Sequence, residues 1–206
     1  MSVGRSKACY YGRFITGFVW VMALFTVPEW KICDGCWEQE RTSLLHLKAS
    51  LSNPPYMNSW SSNEYCCYWD GVGCDPVTGK VTKLALGYPY NNSARAMPAI
   101  HASLFLPFQE LRVLSLKGYH IPGCIENQGW PNLKRLSIYD SFISCNNFLE
   151  TVATVMTNLT QLMILDSGLI STIPQALCTV MSLRVLDLSA NHLMVPTRYK
   201  VWEPRI

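Results

Sequence analysis

The chain has 206 residues, with 17 Lys or Arg against 14 Asp or Glu and nine cysteines. Only 15% of residues are charged and 49% are hydrophobic, which excludes a disordered chain and a nucleic-acid binder driven by charge. A net charge of +3 specifies no acidic partner.

Arg5, Lys7 and Arg13 precede any acid, and an uncharged apolar run follows from Phe14 to Val27. As a helix this run spans about 21 Å, short of the ~30 Å of bilayer hydrocarbon. A basic start before a short apolar run is the pattern of a secretory signal peptide. Residues 1–27 are assigned to it, with cleavage expected within 24–35. Left uncleaved, the same run acts as a signal anchor. It has no polar face, which argues against a buried core helix. Removing residues 1–27 takes away three basic residues and no acid, leaving 14 of each sign. The net charge is thus a property of the targeting segment.

Five cysteines form one block: Cys33, Cys36, Cys66, Cys67 and Cys74. Cys33-Asp-Gly-Cys36 has the spacing of redox and zinc sites. His46, His101, His120 and His192 are scattered, however, and no strand-then-helix context surrounds the pair. Disulfides in an oxidising compartment are therefore expected, with no metal and no cofactor. After Cys36, apolar Trp37, Leu44, Leu45, Leu47 and Leu51 alternate with Glu38, Glu40, Arg41 and Lys48, which predicts an amphipathic helix. Acids early and Lys48 late suit the helix dipole. Asn53-Pro54-Pro55 ends it.

Next come Ser59-Trp60, then Cys66-Cys67-Tyr68-Trp69-Asp70-Gly71-Val72-Gly73-Cys74, then Val81-Thr82-Lys83-Leu84-Ala85-Leu86. From Cys36 to Leu86 this order of elements resembles the N-terminal cap of plant extracellular leucine-rich-repeat proteins, the receptor-like proteins among them. The resemblance implies an α/β solenoid of short parallel strands with a disulfide-pinned helical cap over residues 33–86. It also implies pairing of Cys36 with Cys66 and of Cys67 with Cys74. Such a cap covers the apolar edge of the first repeat.

Four later segments carry the repeat. They begin at Leu111, Leu133, Leu162 and Leu183, which recur after 22, 29 and 21 residues. Residues 87–196 are thus read as about four irregular repeats, and 197–206 as a non-repeat tail. The third segment, read from Leu162, is short by about three residues after Leu165 when set against a leucine-rich unit of roughly 24 residues. The last places Asn191 where a buried Asn bonds the turn backbone; the first two carry Tyr119 and Ser141 there. Ile173-Pro174-Gln175-Ala176-Leu177 resembles the convex segment of the plant type. Segment 87–107 closes on an apolar plug, Leu104-Phe105-Leu106, and Phe148–Met156 is expected as a short helix.

Strand alternation turns Leu114 and Leu116, or Leu186 and Leu188, inward. The candidate binding face then consists of Lys83, Val113, Ser115, Lys117, Arg135, Ser137, Tyr139, Val185, Asp187 and Ser189, with Ala85 and Gly87 beside Lys83. Lys117, Arg135 and Tyr139 are the first choices, because Arg and Tyr are interface-prone. Asn91 and Asn158 each open an N-glycosylation sequon. Cys124 and Cys145 fall at near-equivalent repeat positions and fit either a disulfide or two buried thiols. Cys178 is expected to be buried on the convex side, and Cys33 has no assigned partner.

There is no phosphate-cradling loop, no Gly-x-Ser-x-Gly and no kinase signature, so an enzyme is not expected. The resemblance implies an extracellular binding module like the ligand-recognition region of a plant receptor-like protein, in signal perception or defence. It would take a protein or peptide ligand or a co-receptor and would be secreted or at the cell surface. Membrane attachment would come only from an uncleaved anchor or from a C-terminal span outside this sequence. One alternative is a secreted inhibitor of microbial cell-wall hydrolases, like the polygalacturonase-inhibiting proteins. Another is a truncated product with little function of its own, because an uncapped solenoid exposes an apolar edge.

Overall fold

The computed structural model describes residues 36–61, 65–88, 97–124 and 130–194. The signal segment 1–27, Cys33, Asn91 and the tail 197–206 lie outside the described residues.

Helix α1 (Glu38–Ser50) begins the cap and buries Leu44 and Leu47. Ser52 and Asn53 then take positive φ of 63° and 52°. The Ser52 and Asn53 amides donate back to the Ala49 and Lys48 carbonyls and close the last turn. Two residues depart from the expected amphipathic pattern. Trp37 is 53% exposed; its indole Nε1 donates to the Thr78 carbonyl and Lys80 lies over its ring. Glu40, expected on the polar side, is buried, and its Oε2 accepts the Val81 amide at 2.9 Å. The reason is topological. Val81 opens the first parallel strand, and no earlier coil offers its N–H an acceptor. A carboxylate from α1 supplies one.

Burial raises the Glu40 pKa, and the Val81 N–H and the Lys80 charge oppose that rise. A carboxyl whose folded pKa lies above its unfolded value contributes stability in the acid range, lost as pH rises through the folded pKa. Asp75 and Asp187 have the opposite sign, because hydrogen bonds from Thr78 and from Ser189 lower their pKa values. A Glu40→Gln comparison isolates the first effect. Between about pH 4 and pH 8, urea midpoints of the natural chain should fall relative to those of the variant as pH rises. A pH-independent difference would count against this role for Glu40.

Strand β1 (Val72–Cys74) pairs antiparallel with β2 (Val81–Gly87). Trp60 and Trp69, both 1% exposed, stack beneath with ring centroids 5.5 Å apart. Gly71 stands at φ +78°, and a Cβ there would overlap the Ala85 carbonyl oxygen. The close approach lets the Ala85 amide donate to the Gly71 carbonyl at 2.7 Å, locking cap to strand.

Strands β3 (Val113–Lys117), β5 (Arg135–Tyr139), β7 (Gln161–Leu165) and β9 (Val185–Asp187) continue the sheet in parallel, in the order β1-β2-β3-β5-β7-β9. Short strands β4 (His120–Ile121) and β6 (Phe142–Ile143) pair in parallel, as do β8 (Ile170–Thr172) and β10 (His192–Met194). Helices α2 (Phe148–Val155) and α3 (Gln175–Cys178) pack against each other. One continuous core runs through the coils, built from inward residues such as Leu84, Leu114, Leu136 and Leu162. Among the described residues β9 ends the sheet, and there Leu186 is 44% exposed while its four equivalents are at most 1% exposed.

The register corrects the third repeat. Leu114, Leu136, Leu162 and Leu186 are Cα partners across the strands, as are Leu116, Ile138 and Ile164. The leading leucine of the third coil is therefore Leu159, not Leu162, and equivalent positions recur after 22, 26 and 24 residues. Nothing is missing after Leu165. The run Leu159-Thr-Gln-Leu162-Met-Ile-Leu165 satisfies a three-residue leucine spacing in either frame. Burial decides between the frames: Leu159, Leu162 and Ile164 are at most 1% exposed, and Leu165 is half-buried.

The turn after each strand carries a side-chain ladder. Asn191 Oδ1 accepts the Ser167 and Leu169 amides, and its Nδ2 donates to the Ile164 and Leu188 carbonyls. Ser141 Oγ accepts the Tyr119 amide and donates to the Tyr139 carbonyl. Tyr119 is fully buried; its hydroxyl shares a 2.6 Å hydrogen bond with that of Tyr56 and so ties the first coil to the cap. Burial pushes both phenols up in pKa, Tyr119 the more strongly. Cys178 is also corrected. It is exposed, because the neighbouring Leu177 fills the core position of α3.

Candidate binding face

The outward side of the main sheet is the concave side of such a solenoid. Register aligns its side chains in three rows across the strands. The first row is Lys83, Val113, Arg135, Gln161 and Val185; the second is Ala85, Ser115, Ser137, Met163 and Asp187. The third is Gly87, Lys117, Tyr139 and Leu165, and Ser189 follows two residues beyond Asp187. Every sequence-predicted face residue from Lys83 to Asp187 lies in one of these rows. The middle row starts with three small side chains and forms a trough at Ser115 and Ser137, between Val113 and Lys117 and between Arg135 and Tyr139.

Gln161, Met163 and Leu165 were absent from the sequence-predicted set. They fill the gap between the second coil and the fourth. The slipped frame of the third repeat hid them; reading Leu159 as its leading leucine would have found them. Tyr139 donates its hydroxyl to the Met163 sulfur at 3.6 Å, and Gln161 Nε2 approaches the same sulfur at 2.7 Å. Lys117 pairs with Asp140 at 3.2 Å, both about half exposed. Asp187 accepts the Ser189 amide, and bonding from Ser189 holds its carboxyl below the usual range.

Away from this face, three disulfides among the described residues brace the coils. Cys36–Cys66 and Cys67–Cys74 lie in the cap, with Cα separations of 5.7 and 5.5 Å. Cys124–Cys145 joins successive coils beside β4 and β6, with Cα atoms 5.1 Å apart. Asn158 is exposed, and its Nδ2 donates to the Pro131 carbonyl at 2.8 Å. Among the described residues no cluster of His, Cys, Asp or Glu gathers as a metal site. No described helix is long and apolar enough to cross a membrane.

A helical cap pinned by disulfides, stacked parallel strands one per coil, and a turn ladder together define a leucine-rich-repeat solenoid. The family model described as "Leucine rich repeat N-terminal domain" matches residues 38–75. Cuscuta receptor 1 of Solanum lycopersicum is 37% identical over 112 residues, covering 51% of this chain and 10% of that protein. Receptor-like protein 9b of Arabidopsis thaliana is 32% identical over 170 residues, covering 78% of this chain and 18% of that protein. A crystal structure of the Arabidopsis receptor kinase HAESA with the peptide hormone IDA and the co-receptor SERK1 contains a chain similar in fold. It matches at TM-score 0.54 and 27% identity, covering 77% of this chain and 30% of that one. The chain is a plant leucine-rich-repeat protein of the receptor-like family, and it spans less than a fifth of the two receptor relatives' length.

Proposed function

We propose that the chain works outside the cell, secreted or at the cell surface, as a non-catalytic module that takes a protein or peptide ligand or a co-receptor on its concave face. Its role on this reading is signal perception or defence. The observation that carries the proposal is the unbroken outward surface from β2 to β9, with a trough of small side chains at Ser115 and Ser137. Extended solenoid faces of this kind are binding surfaces. The HAESA complex, which holds a peptide hormone and a co-receptor, supports the partner class. On the same reading residues 1–27 direct export and 33–86 cap the solenoid. The six cysteines bonded among the described residues oxidise on that route, and Asn91 and Asn158 accept glycans.

A random peptide library displayed on phage tests the proposal, selected against the full chain secreted from a eukaryotic host. Peptides should be recovered that bind the natural chain and a Thr154→Trp control on α2, but not a Ser137→Trp variant with unchanged circular dichroism. Binding indifferent to Ser137→Trp would contradict it.

A further inference from the structure

We infer that the concave face is polarised and selects an extended acidic–apolar peptide, with its carboxylate over β3 and its apolar side chains over β7. This inference rests on the reading of that face as a binding surface. It adds the ligand's chemistry and direction.

Three cations stand on β2, β3 and β5 around the Ser115 position. Lys83 and Arg135 occupy the same row on the two strands flanking β3, with Val113 between them. At a strand spacing of about 4.8 Å they stand roughly 10 Å apart. Lys117 lies two residues further along β3 on the same face, about 7 Å from Ser115. Lys83 and Arg135 are exposed, and neither has an ion-pair partner among the described residues. The Lys83 stem leans over Gly73 of β1, where no side chain stands, on the side of β2 away from β3, so Lys83 marks the outer edge of this cationic half. Lys117 is shared with Asp140 at 3.2 Å, but both groups are half exposed. So exposed a pair is weak and yields readily to a second carboxylate.

The other half of the face has the opposite character. Gln161 and Ser189 are neutral there, Met163 and Leu165 present apolar surface beside Tyr139, and Val185 extends it on β9. Asp187 is an acid of this half, set in the middle row on β9, and the exposed Asp166 follows Leu165 at the end of β7. Both repel a carboxylate there and so give the ligand a direction. From β3 to β7 is two strand spacings, about 10 Å, which an extended peptide crosses in two to four residues. The expected ligand therefore carries Asp or Glu two to four positions from an apolar residue, and no acid beyond it.

The peptides recovered in the display selection supply the test. Those that depend on Ser137 should be enriched in Asp and Glu over Lys and Arg. As labelled synthetic peptides in fluorescence anisotropy, they should bind the Lys83→Glu/Arg135→Glu double variant about tenfold more weakly, a loss that shrinks at high salt. Peptides with the acids exchanged for Lys should regain affinity for that variant, which a merely misfolded face would not allow. Ser137-dependent peptides without acidic enrichment, or with affinity unchanged in the double variant, overturn the charge preference and leave the binding face standing. A selection that returns no Ser137-dependent peptide overturns both.

Discussion

Replacing Cys36 and Cys66 by alanine should destabilise the chain by about 2–5 kcal/mol, the usual cost of removing a native disulfide from a small exported domain. Several features put this case at the upper end. Helix α1 has 13 residues, too few to persist alone in water. It is held by Leu44 and Leu47, by the Glu40–Val81 hydrogen bond, by the Lys48–Trp60 contact and by this bridge. Cys66 itself is fully buried, three residues from Trp69 of the stacked tryptophan pair. Without the bridge α1 can lift away and uncover Val81 and Leu84, the first apolar rung of the solenoid. The measurement is a denaturant titration with hydrogen exchange on α1, beside a Cys124→Ala/Cys145→Ala control. That control pins two coils already joined by sheet hydrogen bonds, so its loss should be smaller. Equal losses in the two variants would mean that the cap bridge has no special role.

The third coil supplies the second large effect. Leu162→Ala should cost about 2–5 kcal/mol, the range for a leucine deleted from a close-packed core. Leu165→Ala should cost less than about 1 kcal/mol, as for a surface site. Leu162 is fully buried between the Leu136 and Leu186 positions of neighbouring strands, and Leu165 stands half-buried on the outward row beside Tyr139. Urea unfolding of the two variants separates the frames. If Leu165→Ala proved as damaging as Leu162→Ala, the coil would run in the other frame and Met163 would leave the middle row.

The cap and its helix were legible because their signals are local: paired cysteines, a helical apolar spacing and a Pro-Pro stop. Inward and outward residues of β2, β3 and β5 were legible because alternation within one strand needs no partner. What escaped depended on distant partners. Glu40 reads as a surface acid until Val81, 41 residues later, needs an acceptor. Trp37 reads as core until the 78–80 turn offers its indole a carbonyl and a cation. In the third coil three leucines at three-residue spacing gave two equally good frames, and only pairing with β5 and β9 chooses between them. The outer strands β4, β6, β8 and β10 have two or three residues each, too few to show any period. Cys124 and Cys145 stood at equivalent repeat positions, which fitted both a bond and two buried thiols.

On the proposed reading the concave sheet is the working face. Hydrogen-exchange mass spectrometry of the secreted chain, with and without a saturating recovered peptide, tests it most directly. Exchange should slow in segments 113–117, 135–139 and 161–165, with 148–155 and 175–178 unchanged. Protection concentrated on α2 and α3, with those three strands unaffected, would contradict it.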